Sequence, residues 1–243
     1  MNPINQVVWS FSLLERYEKC PHAAKLRFID RVPEPKLDDL PAKKGAPSEN
    51  PAERGIRVHE GCEQFVDGRA LDLPAESEVF RDPLTHLRGL HQLGHVQQEK
   101  TWLFDREWQE VPSYKQAWGV MKLDVFVHDP SKITALVIDH KTGKLDNNRV
   151  KHAKQGAAYQ TLAFHRYPHI MNVIVEFWYH DLGVLTRQSY VRQNAPAHTA
   201  ILNNAVASIE QDRHFRPSPA TYKCLYCGYR NGVCDYAIHP DKE

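Results

Sequence analysis

The chain alternates apolar and polar residues in two short runs within residues 119–141, which the turn-forming sequence DPSK separates. Side chains of a β-strand point to opposite faces in turn, so Asp124 faces away from the apolar residues of the first run. In the second run Asp139 and Lys141 are two residues apart and share a face. The turn predicts an antiparallel hairpin, and we therefore expect Asp124 to lie beside Asp139.

Other segments repeat apolar residues at helical spacing or alternate them as strands do. One helix is predicted in NPAERGIRVHEGCEQFVDG, where Asn50 caps the helix and Pro51 takes its first position. A second helix is predicted in NNRVKHAKQGAAYQTLAF. The segments IMNVIVEFWYHD and VLTRQSYVRQ predict a later pair of strands, and a helix follows them. The order of elements predicts an α/β fold with a mixed β-sheet flanked by helices.

Two carboxylates in one place attract Mg²⁺ or Mn²⁺, and the bound cation can acidify water and neutralise charge on phosphate oxygens. Lys141 would add a fixed positive charge beside Asp124 and Asp139. An exposed hairpin with a surface ion pair would have the same Asp-x-Lys sequence, so neighbouring features must distinguish the two interpretations.

The second predicted helix has a polar face that could contact a nucleic-acid backbone. Gln155 and Tyr159 lie four residues apart on it, and His152 accompanies them, with Lys151 and Lys154 nearby. An ordinary amphipathic helix would look similar. We expect its buried positions to be Val150, Ala153, Ala157, Thr161 and Phe164.

The first predicted helix carries His59, whose neutral imidazole could complete a site that otherwise offers only oxygen atoms. A site of this mixed type suits Mn²⁺ at least as well as Mg²⁺. A hydrogen-bonded structural histidine is the alternative.

The order of these features resembles the RecB-like branch of the PD-(D/E)xK nuclease superfamily. The resemblance extends from about residue 9 to residue 236, with Leu123 in place of the superfamily's proline. The opening segment WSFSLLERYEKCPHAAKLRF also looks like the first helix of that branch, with Ser12 and Glu15 as its capping box. The residues that carry the resemblance are Gly55, His59, Glu99, Gly119 to Asp124, Asp139, Lys141, Gln155 and Tyr159.

The resemblance implies a restriction-endonuclease-like fold and a role for each matching residue. It implies that His59, Asp124 and Asp139 bind the catalytic metal, with the backbone carbonyl of His140 as a further ligand, and that Lys141 is the catalytic lysine. Glu99 would be an outer ligand or a base. The resemblance makes Gln155 and Tyr159 substrate-binding residues, and the positive charge of the same helix adds Lys151 and Lys154.

Three of the five cysteines are close together near the C-terminus, at Cys224, Cys227 and Cys234, and this spacing is typical of a metal site. Cys20 is the natural candidate for the fourth ligand. This arrangement is similar to the iron-sulfur subset of RecB-like nucleases, which includes CRISPR-associated exonucleases and the AddB nuclease domain. That likeness implies a 4Fe-4S cluster, and a four-cysteine Zn²⁺ site is the alternative. Cys62 matches no cluster position and is interpreted as a core residue.

Composition and charge indicate a globular enzyme with local binding patches. The chain has 243 residues, of which 42% are hydrophobic, and a formal charge of +1. DNA affinity must therefore come from local groups, of which Lys144 would be one, rather than from net charge. We expect no membrane association, and the absence of a signal peptide favours the cytoplasm, which would be that of a host cell if the protein is viral.

We expect residues 1–243 to form a single nuclease domain. Within it, a Cys-ligated metal cap would join residues 20–32 to residues 215–240, and the proline-rich segment 33–51 would be a mobile loop.

The predicted function is a Mg²⁺- or Mn²⁺-dependent deoxyribonuclease, in particular an exonuclease. It would act on DNA ends or single strands in recombination, repair or CRISPR-type DNA processing. Protein partners would be recombination, helicase or integrase proteins. The alternative is an inactive module that binds nucleic acid or docks a partner and carries a four-cysteine zinc site.

Overall fold

The computed structural model describes residues 7–35, 51–143 and 148–239. Most of the predicted mobile loop and Lys144 lie outside these ranges. The chain divides into two compact units, one formed by Met1–Ala46 with Leu202–Glu243 and the other by Pro47–Ile201. The predictions of a single domain and of a cap remain predictions.

Seven α-helices and five β-strands occur in the described part of the chain. The helices are α1 (Phe11–Lys19), α2 (Pro21–Ala24), α3 (Pro51–Val66), α4 (Arg81–Gln92), α5 (Arg149–Arg166), α6 (Ala195–Gln211) and α7 (Thr221–Cys224). The strands are β1 (Val96–Phe104), β2 (Gly119–Val127), β3 (Thr134–Lys141), β4 (Asn172–Tyr179) and β5 (Val184–Val191). None of the described helices is both long and apolar enough to cross a lipid bilayer.

The five strands form one sheet in the order β1-β2-β3-β4-β5. Strands β3 and β4 are parallel, and the other neighbouring pairs are antiparallel. A parallel pair needs a crossover connection, and α5 provides it between β3 and β4. The predicted α/β class, a mixed sheet flanked by helices, is therefore confirmed.

Both faces of the central sheet are covered by helices. Helices α3 and α4 pack on one face in a hydrophobic cluster that includes Val58, Leu84, Ile138 and Trp178. Helix α5 covers the other face, where His152 stacks on Phe177. Since adjacent strand residues point to opposite faces, a central strand covered in this way must be apolar on both sides.

The burial predicted for α5 was wrong in its first half. Val150 is 73% exposed and Ala153 is exposed, whereas Ala158 to Phe164 are all buried. His152, which we placed on the polar face, is buried, and its Nδ1 lies 2.5 Å from the Tyr179 hydroxyl. Periodicity shows which residues share a face of a helix, but it does not show which face or which stretch the neighbouring elements cover. The buried face of the first half of α5 was therefore assigned wrongly.

The predicted capping box of α1 was also wrong. The helix begins at Phe11, and the Ser10 hydroxyl accepts a hydrogen bond from the Leu13 amide at 3.2 Å. The cap therefore lies two residues before Ser12. In contrast, α3 begins at Pro51 as predicted.

The first unit joins the N-terminal segment to the C-terminal segment through buried and partly buried polar contacts. The Tyr17 hydroxyl donates to Asp212 at 2.7 Å, and the Tyr229 hydroxyl donates to the Val32 carbonyl at 2.8 Å. Glu34 forms an ion pair with Arg16 and accepts from the Gly228 amide. Apart from the local Arg16–Glu34 pair, these contacts connect residues that are almost two hundred positions apart in sequence.

An ion-pair cluster in the second unit links the N-terminal half of α3 to the segment at Glu76. Arg57 donates to Glu76 at 2.7 Å, and Arg54 contacts both Glu76 and Asp181. The hydrogen bond from Arg57, together with the nearby charges, lowers the pKa of Glu76 from 4.5 to about 2. The folded protein therefore favours the ionised form of Glu76.

We expect Glu76→Gln to lower the free energy of unfolding by up to about 1 kcal/mol at neutral pH, because exposed ion pairs contribute little. Since the folded-state pKa is lowered, this contribution is present above about pH 4.5 and is lost as the pH falls towards 2. Urea unfolding at several pH values should show the two proteins converging in acid. Glu107→Gln, at an exposed position, is the control, and a difference that grows in acid would contradict the prediction.

Candidate metal centre

The candidate centre forms where β2 and β3 separate. Their backbone pairing runs from Val127 with Leu136 to Val125 with Ile138. Beyond it, the backbone N–H of His140 donates to Asp124 Oδ2 at 2.8 Å. A buried backbone N–H needs an acceptor, and the Asp124 side chain provides one here. The predicted hairpin therefore brings Asp124 next to the segment that carries Asp139.

His59 reaches the same place from α3. Its Nε2 lies 2.8 Å from the His140 carbonyl oxygen, and its Nδ1 lies 3.4 Å from Asp124 Oδ2. A carbonyl can only accept, so Nε2 carries a hydrogen. Nδ1 is then the ring nitrogen left to bind a metal, and it faces Asp124. Metal-binding histidines are commonly oriented in this way through their second nitrogen.

Helix α3 approaches the end of β3 closely at Gly55. A Cβ atom at this position would lie 3.3 Å from the Thr142 hydroxyl, which is tighter than an ordinary contact. The glycine one turn before His59 therefore allows the helix to bring its imidazole up to the strand.

Glu99 completes a group of three donors with His59 and Asp124. One ligand atom from each residue lies within 4.8 Å of the other two. Glu99 lies opposite Asp124 on β1, between the pairs Gln98–Val125 and Lys100–Leu123. It also forms an ion pair with Lys122, which shares the Asp124 face of β2. An imidazole and two carboxylates form a donor set that Mn²⁺ and Mg²⁺ can use.

The backbone of Glu99 is strained. Its φ is 50°, in the left-handed region that disfavours residues with a Cβ atom. Such strain persists only where the surrounding structure holds it, and it is concentrated at functional sites. The strained residue here is one of the three donors.

Asp139 is buried and engaged on both oxygens. Oδ1 forms an ion pair with Lys141 Nζ at 2.5 Å, and Oδ2 accepts from the Tyr159 hydroxyl at 2.7 Å. Gln155 holds both partners, because its Oε1 accepts from Lys141 at 3.2 Å and its Nε2 donates to the Tyr159 oxygen at 2.7 Å. The four residues form one closed polar network. Asp139 is not part of the three-donor group found among the described residues.

Burial and like charge determine the electrostatics of the centre. Desolvation raises the pKa of Asp124, and the Asp139 carboxylate raises it further. A bound cation would relieve both effects. Burial and Asp139 also hold the pKa of Tyr159 well above its usual value, so its hydroxyl remains a hydrogen-bond donor.

The other predicted site residues lie on α5 or around β3. Lys154 is exposed and Lys151 half-buried. The His140 carbonyl, predicted as a ligand, accepts the hydrogen bond from His59 described above. Lys122 was missed as a site residue, although the alternation of β2 already placed it on the Asp124 face.

The four predicted cluster cysteines line one pocket in the first unit. Cys20 lies between α1 and α2, and Cys224, Cys227 and Cys234 come from the C-terminal segment. Leu26, Pro217 and Tyr229 are among the other lining residues. No three of these sulfur atoms fall within 4.8 Å of one another in the described chain.

Comparison with known proteins identifies the family. The family model of the PD-(D/E)XK nuclease superfamily matches residues 8–235. The chain belongs to this superfamily. The mixed sheet of this nuclease, with helices on both faces, accords with the predicted restriction-endonuclease-like fold.

Solved structures resemble this PD-(D/E)XK nuclease at low sequence identity. A protein from Eubacterium rectale, provisionally named an exonuclease, is 13% identical with a TM-score of 0.51, and the match covers 97% of this chain and 92% of that one. The crystal structure of SSO0001 is 16% identical with a TM-score of 0.48, covering 96% and 88% of the two chains. Among curated proteins, none matches the sequence.

The strain at Glu99 can be tested by comparing two substitutions that both remove the carboxylate. Glu99→Gly should be more stable than Glu99→Ala by about 1 kcal/mol, because glycine adopts a positive φ without a steric penalty. Urea unfolding would measure the difference. Lys100 is the control, since its φ is not positive and glycine should there be less stable than alanine. Equal stability of the two Glu99 variants would contradict the prediction.

Proposed function

We propose that this nuclease is a Mg²⁺- or Mn²⁺-dependent DNA exonuclease of the RecB-like branch. The observation that supports it is the convergence of His59, Glu99 and Asp124 within 4.8 Å. This convergence lies beside the Asp139–Lys141 pair, since Asp124 responds electrostatically to both residues. A surface hairpin with a simple ion pair would not bring a helix histidine and a strained glutamate to the same place.

The donors fit a divalent cation. His59 presents Nδ1, Asp124 a carboxylate oxygen and Glu99 a second carboxylate, while Asp139 stands next to Asp124. Bound there, the cation would acidify a water molecule and neutralise charge on the phosphate oxygens. His59 is held by the His140 carbonyl and Asp124 by the His140 amide, so two donors are oriented before a metal arrives.

Lys141 supplies positive charge beside the scissile phosphate. Its ammonium group is held by Asp139 and Gln155, so it needs little rearrangement to stabilise charge that develops during cleavage. Tyr159 donates to Asp139 and fixes the carboxylate. Gln155 orients both Lys141 and Tyr159 and is half-buried, which leaves it able to meet a DNA strand. Lys151 and Lys154 would contact backbone phosphates.

We expect Asp139→Ala and Lys141→Ala each to reduce cleavage of end-labelled DNA by at least about 10² to 10³-fold, the typical cost of losing one electrostatic contact to the transition state. Circular dichroism should show that both variants remain folded, and EDTA should stop the wild-type enzyme. Lys132→Ala, in the exposed β2–β3 turn, is the matched control and should cleave normally.

The same assay distinguishes exonuclease action from endonuclease action. Linear single- and double-stranded DNA should be degraded, and closed circular DNA should resist. Cleavage that persists in both variants would refute the assigned site, and DNA binding without cleavage in any divalent metal would favour an inactive binding module.

We further propose that Cys20, Cys224, Cys227 and Cys234 bind a 4Fe-4S cluster that stabilises the first unit. All four line one pocket, which supports a shared metal group. A four-cysteine zinc site would use the same thiolates, so the metal itself must distinguish the two. The cluster would cross-link distant parts of the chain, which is the situation in which a cross-link restricts the unfolded state most.

Purified protein should be brown, absorb at roughly 400 nm and contain about four iron atoms per chain. Cys224→Ser should remove the absorption and lower the melting temperature. Tyr226→Ala changes an exposed residue between two cysteines and should do neither. A colourless protein with zinc would contradict the cluster, and loss of iron at unchanged stability would indicate a redox role.

The predicted cytoplasmic location and the recombination, helicase or integrase partners remain predictions. The partners follow from the exonuclease assignment, whereas the location follows from the sequence pattern alone.

A further inference from the structure

A second group of metal-binding side chains lies behind the candidate centre, on the opposite face of β3. His140 points away from its neighbours Asp139 and Lys141 because strand side chains alternate. There it meets Cys62 of α3 and His180, which follows β4. Their exposures are 4%, 0% and 3%, so all three are buried in the core between α3 and the sheet.

The three side chains are arranged as ligands of one ion would be. A nitrogen from each ring and the Cys62 sulfur lie within 4.8 Å of one another. His140 Nδ1 and His180 Nε2 face each other at 2.9 Å. The Cys62 thiol donates to the hydroxyl of Ser77, which is fully buried, at 3.2 Å. The hydroxyl therefore stands beside the sulfur.

The hydrogen bonds of the group leave one buried atom unsatisfied. His180 Nδ1 has no hydrogen-bond partner in the described part of the chain. In the contact between the two rings one of the facing nitrogens carries a hydrogen. Where this nitrogen is His180 Nε2, the unpaired Nδ1 can take the hydrogen instead, which leaves Nε2 able to bind a cation. Burial raises the pKa of Cys62 to about 11, and a bound cation would reverse this by stabilising the thiolate.

We propose that Cys62, His140 and His180 bind a structural Zn²⁺ ion, with the Ser77 hydroxyl or a water molecule in the fourth position. One thiolate and two imidazoles, without a carboxylate, are ligands that zinc prefers over magnesium or manganese. Two nitrogens on a tetrahedral zinc ion lie about 3.4 Å apart, so the rings would need to separate by only about half an ångström.

This site would be distinct from the candidate hydrolytic centre but linked to it through His140. The backbone amide and carbonyl of His140 hold Asp124 and His59, while its side chain would be fixed by zinc. The interpretation of Cys62 as an ordinary core residue would then be incomplete. The inference does not depend on nuclease activity.

The test measures zinc per chain in protein grown in zinc-supplemented medium and treated briefly with EDTA to clear the exposed centre. Inductively coupled plasma mass spectrometry should find one more zinc ion per chain in the wild type than in Cys62→Ser or His180→Gln. This difference holds whether the other four cysteines contain iron or zinc. His128→Gln replaces a half-buried histidine that pairs with His169, away from the proposed ligands, and should leave the zinc content unchanged.

Equal zinc content in the wild type and both variants would overturn the proposal. If the variants do not fold, crystals of the wild type decide the question without them. Anomalous difference maps recorded on both sides of the zinc absorption edge should show a peak between Cys62 and the two histidines only on the high-energy side. A map without this peak would overturn the proposal as well.

Discussion

The separation of β2 and β3 is the constraint on which the candidate centre depends. Where the strands part, the amide and carbonyl of His140 lose the partners that a continuous ladder would provide. Asp124 accepts from one group and His59 donates to the other, both at 2.8 Å. The demand of buried backbone groups for hydrogen bonds thus positions two of the three donor residues. The same residue, His140, turns its side chain to the buried cysteine and histidine behind the strand.

The candidate centre also depends on the balance of charge around the carboxylates of Asp124 and Asp139. Asp139 is neutralised by Lys141 and hydrogen-bonded by Tyr159, whereas Asp124 is half-buried and its pKa is raised by desolvation and by Asp139. Without a cation, partial burial of Asp124 near a second carboxylate is unfavourable. A divalent ion bound there would relieve the desolvation of Asp124 and its repulsion from Asp139, and this relief would strengthen the binding of the ion.

Much of the centre could be predicted because it depends on short-range periodicity. Alternation in β2 and β3 placed Asp124, Asp139 and Lys141 correctly on their faces, and the four-residue spacing of Gln155 and Tyr159 placed these two on one side of α5. The meeting of His59 with Asp124 was expected from family resemblance, which gave Asp139 as the third ligand and Glu99 as an outer ligand or a base. The structure groups Glu99, and not Asp139, with His59 and Asp124. Local pattern cannot show that a helix histidine crosses to the point where two strands separate.

Other features of the structure could not be predicted from any local pattern in the sequence. The positive φ of Glu99 reflects its surroundings rather than its neighbours in sequence. The burial of His152 and the exposure of Val150 depend on which part of α5 the sheet covers. His180 follows a strand in sequence and meets Cys62 only in the folded protein.

The first unit is formed by two segments, one before and one after the sheet unit in sequence, and this affects the order of its synthesis. Residues 47–201 are translated between its two halves, so the sheet unit is synthesised before Cys224, Cys227 and Cys234 exist. During that interval Cys20 and its helix have no C-terminal partner. Insertion of the proposed cluster would then come late, after the sheet unit has been synthesised.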